Sequence, residues 1–136
     1  MSGSVMCSIL LVEDHLDTRQ AFTSLLESWG HEVFARDSIT GALAFLNGNE
    51  VDVILSDIGL QDGDGYEFIS QVRRNNSSVI AIAVSAYFTP DQRCGHDSGF
   101  DMCFSKPVNL RELEFTLERL SAQLGKSLLP AAGSES

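Results

Sequence analysis

The chain has 136 residues, 43% hydrophobic and 21% charged, the size and balance of one soluble globular domain rather than of a disordered or fibrous chain. Its formal charge of -10, from nine basic and nineteen acidic residues, repels nucleic-acid phosphates and anionic lipid, which speaks against direct nucleic-acid binding. No apolar run is long enough to cross a bilayer, so no membrane role is expected.

The opening residues, MSGSVMCS, lack the basic region and apolar stretch of a signal peptide, so a cytoplasmic address is expected, with 1–7 as a leader. Cys7, Cys94 and Cys103 are odd in number and show no CxxC spacing, and they read as small apolar fillers rather than a disulfide framework or zinc site. His15, His31 and His96 are scattered without metal-ligand spacing and read as surface or packing residues.

In chain order, the run Ile9-Leu10-Leu11-Val12 predicts a central parallel strand covered on both faces, ending at Glu13-Asp14. A helix follows with Phe22, Leu25, Leu26 and Trp29 on one face, stopping at Gly30. Residues 33–35 make a short second strand. Asp37-Ser38 can cap a helix bearing Ile39, Ala42, Leu43 and Leu46, which Asn47-Gly48 ends.

The third strand is predicted over 51–55, running into Ser56-Asp57 and then the loop IGLQDGDG. A third helix takes in Tyr66, Ile69 and Val72, and residues 79–84 form a fourth buried strand ending at Ser85-Ala86. Residues 90–98 can be helical, with Pro90 in the first turn, yet carry almost no apolar stripe and should be the loosest helix. A brief fifth strand over 101–104 is broken by Lys106-Pro107. Asn109 with Glu112 starts a last helix lined by Leu110, Leu113, Leu117, Leu120 and Leu124. Residues 125–136 turn small and polar and read as a flexible tail or linker after a domain over 8–124.

This alternation of apolar runs with helical segments is the mark of five βα units, (βα)5, forming a five-stranded parallel sheet of the α/β class. In such a sheet all strands end on one edge, where ligands bind. That edge collects Glu13 and Asp14 after strand one, Asp57 after strand three, Ser85 after strand four and Lys106 after strand five. Three converging carboxylates repel one another unless a cation neutralises them, and clustered oxygen ligands suit a hard ion such as Mg²⁺.

The stretches LLVEDH, SDIGLQDGDGYEFI, AVSAY and SGFDMCFSKP closely resemble the response-regulator receiver family of two-component systems, including its chemotaxis regulators, over nearly all of residues 8–124. The resemblance implies a doubly wound, flavodoxin-like sheet of order 2-1-3-4-5. It implies that Asp57 accepts a phosphoryl group as nucleophile, and that Glu13 or Asp14, with Asp57 and the backbone carbonyl of Gly59, holds Mg²⁺. Lys106 would pair with a phosphoryl oxygen, and Ser85 would donate to another once phosphate is present. The family's Lys-Pro bond is commonly cis, which would aim Lys106 at the site.

A histidine kinase or histidine phosphotransfer protein is the implied partner. The protein is then a phospho-switch rather than an enzyme, either free-standing or part of a hybrid histidine kinase, with room for a homodimer. It departs from the family at two places. Cys103 stands where a Tyr or Phe usually acts as a rotamer switch, and strand alternation points Phe104 the other way. Leu60-Gln61 replaces a frequent Met-Pro pair, ahead of the glycine-rich DGDG.

Three further functions compete. An aspartate-nucleophile phosphatase would carry an acid two residues beyond Asp57, where this chain has Gly59. A phosphate-independent interaction module would not need the acids, Ser85 and Lys106. A flavin-binding protein of the same fold would need a Ser/Thr-Gly phosphate loop after the first strand, which is missing here.

Overall fold

Strand residues with apolar side chains on both faces must be covered on both faces, and the fold does this with two separate cores. The computed structural model describes residues 7–60, 62–75, 78–85 and 99–125. Strands β1 (Ser8–Val12), β2 (Glu32–Arg36) and β3 (Val53–Asp57) come first, with helices α1 (Leu16–Ser28) and α2 (Ile39–Leu46) between them. Then come the two-residue strands β4 (Gly59–Leu60) and β5 (Gly63–Asp64), helix α3 (Gly65–Asn75), strands β6 (Ile80–Ser85) and β7 (Met102–Ser105), and helix α4 (Leu110–Gln123).

Leu10, Val12, Ile54, Ala81 and Ala83 point to one face, where Ile39 and Ala42 of α2 and Phe68, Ile69 and Val72 of α3 cover them. Ile9, Leu11, Val53, Leu55, Ile82 and Val84 point to the other, beneath Leu26 of α1 and Leu113, Leu117 and Leu120 of α4. Alternation along each strand therefore feeds both layers. The sheet has the order β2-β1-β3-β6-β7 with every pairing parallel, which is the expected order once β4 and β5 are set aside.

The helices begin and end where the caps expect. Trp29 closes α1 and Gly30 takes a φ of 99°, the left-handed conformation that favours glycine after a helix. Ser38 Oγ accepts from the Gly41 N–H at 2.9 Å to open α2, and Asn109 Oδ1 accepts from the Glu112 N–H at 3.1 Å to open α4.

Three expectations need correcting. The third strand runs over Val53–Asp57 rather than 51–55, because Val51 is buried in the turn before it while Ser56 and Asp57 still pair with Ala83 and Val84. Leu110 and Leu124 do not belong to the buried face of α4; they sit at its two ends, 45% and 41% exposed. The loop after Asp57 contains an antiparallel hairpin, β4 with β5, that no apolar pattern announced. The helix expected over 90–98 lies outside the described residues, among which there are four helices.

One buried group sits badly in this frame. His31, before β2, is 5% exposed, and neither ring nitrogen has a hydrogen-bond partner among the described residues. Burial holds its pKa below the ordinary histidine value of 6.5. Its contribution is then full above pH 6.5 and is lost as pH falls through the lowered folded value, since the unfolded chain protonates first. His31→Phe should raise stability at neutral pH by about 1 kcal/mol, by removing buried polar atoms that lack a partner among the described residues. It should also flatten the loss of stability as pH falls below 6.5. Urea unfolding of both proteins at several pH values checks this, and parallel pH profiles would assign the acid sensitivity to other groups.

Candidate functional site

Strand β1 is extended by one bond beyond Val12, since the Glu13 N–H donates to the Arg36 carbonyl at 3.0 Å, and this carries Glu13 into the interior at 5% exposure. Its carboxylate accepts from the His15 N–H at 3.1 Å, and Arg19 Nη1 donates to its carbonyl at 2.9 Å. Asp57 is the last residue of β3, opposite Val84 of β6. Carboxylate oxygens of Glu13, Asp14 and Asp57 all lie within 4.8 Å of one another.

Lys106 follows β7, and its N–H donates to the Ser85 carbonyl at 2.9 Å. The Lys106–Pro107 bond is cis. Lys106 Nζ stands 3.0 Å from Asp57 Oδ2 and 3.5 Å from Glu13 Oε1. Three carboxylates against one ammonium leave an excess of negative charge when all are ionised. Burial pushes the Glu13 carboxyl above its ordinary pKa, and the nearby Asp57 and Asp14 push the same way; the His15 N–H and Lys106 offset this only in part. For Lys106 burial works downward, but its hydrogen bond and charge pairing with Asp57 and Glu13 outweigh it, so its pKa is raised.

A hard divalent cation fits this donor set. The donors are all oxygen, they converge within 4.8 Å, and their surplus charge is of the sign and size that such an ion neutralises. Gly59 lies two residues after Asp57, and its N–H donates to Asp57 Oδ1 at 3.1 Å. The chain then returns tightly against its own start: Gly65 N–H donates to the Ile58 carbonyl at 2.7 Å, and a Cβ on Gly65 would stand 2.8 Å from the Asp57 carbonyl oxygen. No other residue type fits at 65 without displacing the backbone beneath Asp57.

Ser85 is buried at the end of β6, one residue beyond the Asp57 register partner. Cys103 packs toward the α2–α3 core while Phe104 packs toward the α1–α4 core, so the two do face opposite ways. Cys103 is not the simple apolar filler expected from the cysteine spacing: it is disulfide-bonded, whereas Cys7 is in no disulfide and its Sγ lies 2.8 Å from Ser121 Oγ. Its partner lies outside the described residues. Spacing along the chain cannot reveal such a bond, which depends on the separation of Cα atoms in space.

The expected site residues Glu13, Asp14, Asp57 and Lys106 are thus brought into one cluster, with Gly59 and Ser85 adjoining it. The structure adds supports that strand-end reading missed. His15 and Arg19 hold Glu13 through backbone groups, and Asp62 reaches from the hairpin to α2. A charged residue's backbone partners leave no sequence pattern, so only the acid in the DGDG stretch could have drawn notice.

Comparison with known proteins gives a consistent result. The sequence model of the response regulator receiver domain matches residues 9–118. Sensor histidine kinase RcsC of Escherichia coli K12 is 33% identical over 121 residues, which are 88% of this chain and 13% of that protein. The KDP operon transcriptional regulatory protein KdpE of the same organism is 31% identical over 112 residues, 82% of this chain and 50% of the regulator. The chain therefore spans between about an eighth and a half of these relatives. Among solved structures, chemotaxis response regulator CheY4 of Vibrio cholerae superimposes with a TM-score of 0.77 at 28% identity, covering 85% of this chain and 99% of that one.

The charge surplus generates a stability prediction. A carboxyl whose folded pKa is raised above its unfolded value supports folding at low pH and loses that support as pH rises through the folded value. Glu13→Gln should therefore raise the melting temperature of the metal-free protein near pH 7.5 by about 2–4 °C, with the gain vanishing toward pH 4. Scanning fluorimetry in chelator at several pH values is the check. A gain independent of pH would place the cost in packing rather than charge.

Proposed function

The chain belongs to the response regulator receiver domain family, and from that premise we propose that it is a Mg²⁺-dependent phosphoacceptor switch whose phosphorylated residue is Asp57. The observation that carries this reading is the position of Asp57 at the tip of β3, with two further carboxylates within 4.8 Å and Lys106 Nζ at 3.0 Å. Glu13, Asp14, Asp57 and the Gly59 carbonyl would hold the ion. When bound, Mg²⁺ supplies neutralisation of the carboxylates and of the transferring phosphoryl group.

In this reading an Asp57 carboxylate oxygen attacks phosphorus on a phosphohistidine of a histidine kinase or phosphotransfer protein. The new O–P bond replaces the P–N bond, and the imidazole leaves. Lys106 gives up part of its contact with Asp57 and pairs with a phosphoryl oxygen. The Ser85 hydroxyl donates to another oxygen, an interaction that exists only in the phosphorylated state and so biases the conformation toward it. The similarity to RcsC and KdpE is consistent with such partners, and with a place either inside a hybrid kinase or beside an output domain.

Incubation with Mg²⁺ and acetyl phosphate should add one phosphoryl group that is base-labile, and Asp57→Asn should abolish it. Intact-mass analysis reads both. Equal labelling in Asp57→Asn would overturn the assignment of the acceptor, and labelling unaffected by chelator would overturn the metal dependence.

A further inference from the structure

Hairpin β4–β5 has too little of its own to hold a shape. It pairs Gly59 with Asp64 and Leu60 with Gly63, two residues on each side, and such a ribbon is not stable alone in water. Its two glycines, Gly59 and Gly63, enlarge the conformational entropy it must lose. Yet the Gly59 backbone neighbours Asp57, and its N–H bonds to Asp57 Oδ1. Something outside the hairpin has to fix it.

Leu60 supplies one anchor, buried in the same core as Ile39. Asp62 supplies the other. Its Oδ1 accepts from the Ile39 N–H at 3.0 Å, and its Oδ2 accepts from the Thr40 N–H at 3.0 Å and the Thr40 hydroxyl at 3.1 Å. Together with Ser38 Oγ on the Gly41 N–H, this satisfies the N–H groups of the first three residues of α2. A carboxylate there also complements the helix dipole, and these bonds hold Asp62 ionised below its usual pKa range, the Ile39 and Thr40 amides being the main causes. The contact is close-fitting: Gly63 has a φ of 154°, and a Cβ there would stand 3.0 Å from Ile39 Cδ1.

We propose that Asp62 is a positioning residue for the metal site, clamping hairpin β4–β5 to the N-terminus of α2 so that the Gly59 carbonyl is held ready to ligate. This rests on the reading of Glu13, Asp14, Asp57 and Gly59 as the Mg²⁺ site. Asp62 touches neither the ion nor the phosphoryl group; it acts through the hairpin backbone. A metal ligand contributes fully only when its position is fixed in advance, and partners that fix ligands from outside the coordination sphere change affinity by about 10- to 100-fold. The coupling is reciprocal. Metal binding at Gly59 must strengthen the Asp62 contacts with Ile39 and Thr40 by the same factor that those contacts strengthen metal binding.

The test is Mg²⁺ titration by calorimetry of the wild-type chain, Asp62→Ala, Asp62→Asn, Ser38→Ala and Asp57→Asn. Asp62→Ala should weaken Mg²⁺ binding about tenfold, and Asp62→Asn, which keeps one acceptor oxygen, should fall between it and wild type. Ser38→Ala removes a bond from the same helix end without touching the hairpin and should bind as wild type does. In the unsubstituted protein, Mg²⁺ should slow hydrogen exchange at the Ile39 and Thr40 amides. Equal Mg²⁺ affinity in Asp62→Ala and wild type, an equal loss in Ser38→Ala, or unchanged exchange at Ile39 and Thr40 would each overturn the clamp. Failure of the metal-site reading itself looks different: Asp57→Asn would bind Mg²⁺ as well as wild type does.

Discussion

A carboxylate taken out of water next to two others is a cost that the rest of the molecule has to carry. Glu13 is in that position, 5% exposed and within 4.8 Å of Asp14 and Asp57 oxygens. The His15 N–H and the Lys106 ammonium recover part of the desolvation, and Glu13 still ends with a raised pKa. The arrangement persists because β1 and β3 are locked by parallel pairing from Ile9–Val53 to Val12–Ser56, with both of their faces packed. Moving the acids apart would mean shearing a doubly covered sheet, and stored cost of this kind is the usual mark of a site built for a ligand.

The same logic explains how the molecule divides its labour. Strands deliver Glu13, Asp57 and Ser85, and the groups at their ends inherit the rigidity of residues that are almost wholly buried. Lys106 arrives from β7, an edge strand, and stands 30% exposed on a longer tether. It is the cluster member with most freedom to trade one anionic partner for another. Hairpin β4–β5 is intermediate, glycine-rich yet anchored at Leu60 and Asp62. The proposed phosphoacceptor role would benefit from this gradient, rigid where the acceptor sits and adaptable where the incoming charge is met.

Much of this was legible in the sequence because it depends on burial. Runs such as Ile9 to Val12 and Ile80 to Val84 are apolar on successive residues, which only a strand packed on both sides requires, and they are strands. Charged residues where those runs stop then mark the functional edge. The order of the strands was not legible from the runs and came from the family resemblance. Boundaries were blurred by polarity: Ser56 and Asp57 look like loop residues yet belong to the ladder, because their backbone pairing is indifferent to their side chains. Hairpin β4–β5 and the Asp62 contacts were invisible for a deeper reason. Both rest on backbone groups that nearly every residue possesses, and the Asp62 contacts join residues 22 and 23 apart through N–H groups that only proline lacks.

Position 59 bears on how long the proposed aspartyl phosphate would last. Phosphatases that use an aspartate nucleophile usually place a second acid two residues further on, and a glycine could stand there for either of two reasons, steric need or absence of the function. The structure removes the first. A Cβ at Gly59 would meet nothing within 4 Å, its φ is not in the positive range, and the residue is exposed. The first atom of a side chain there would displace none of the described residues. Glycine at 59 therefore leaves the proposed aspartyl phosphate without a general acid/base at that place in the chain, and this favours a phosphoryl group that stays long enough to be read over one that is rapidly turned over.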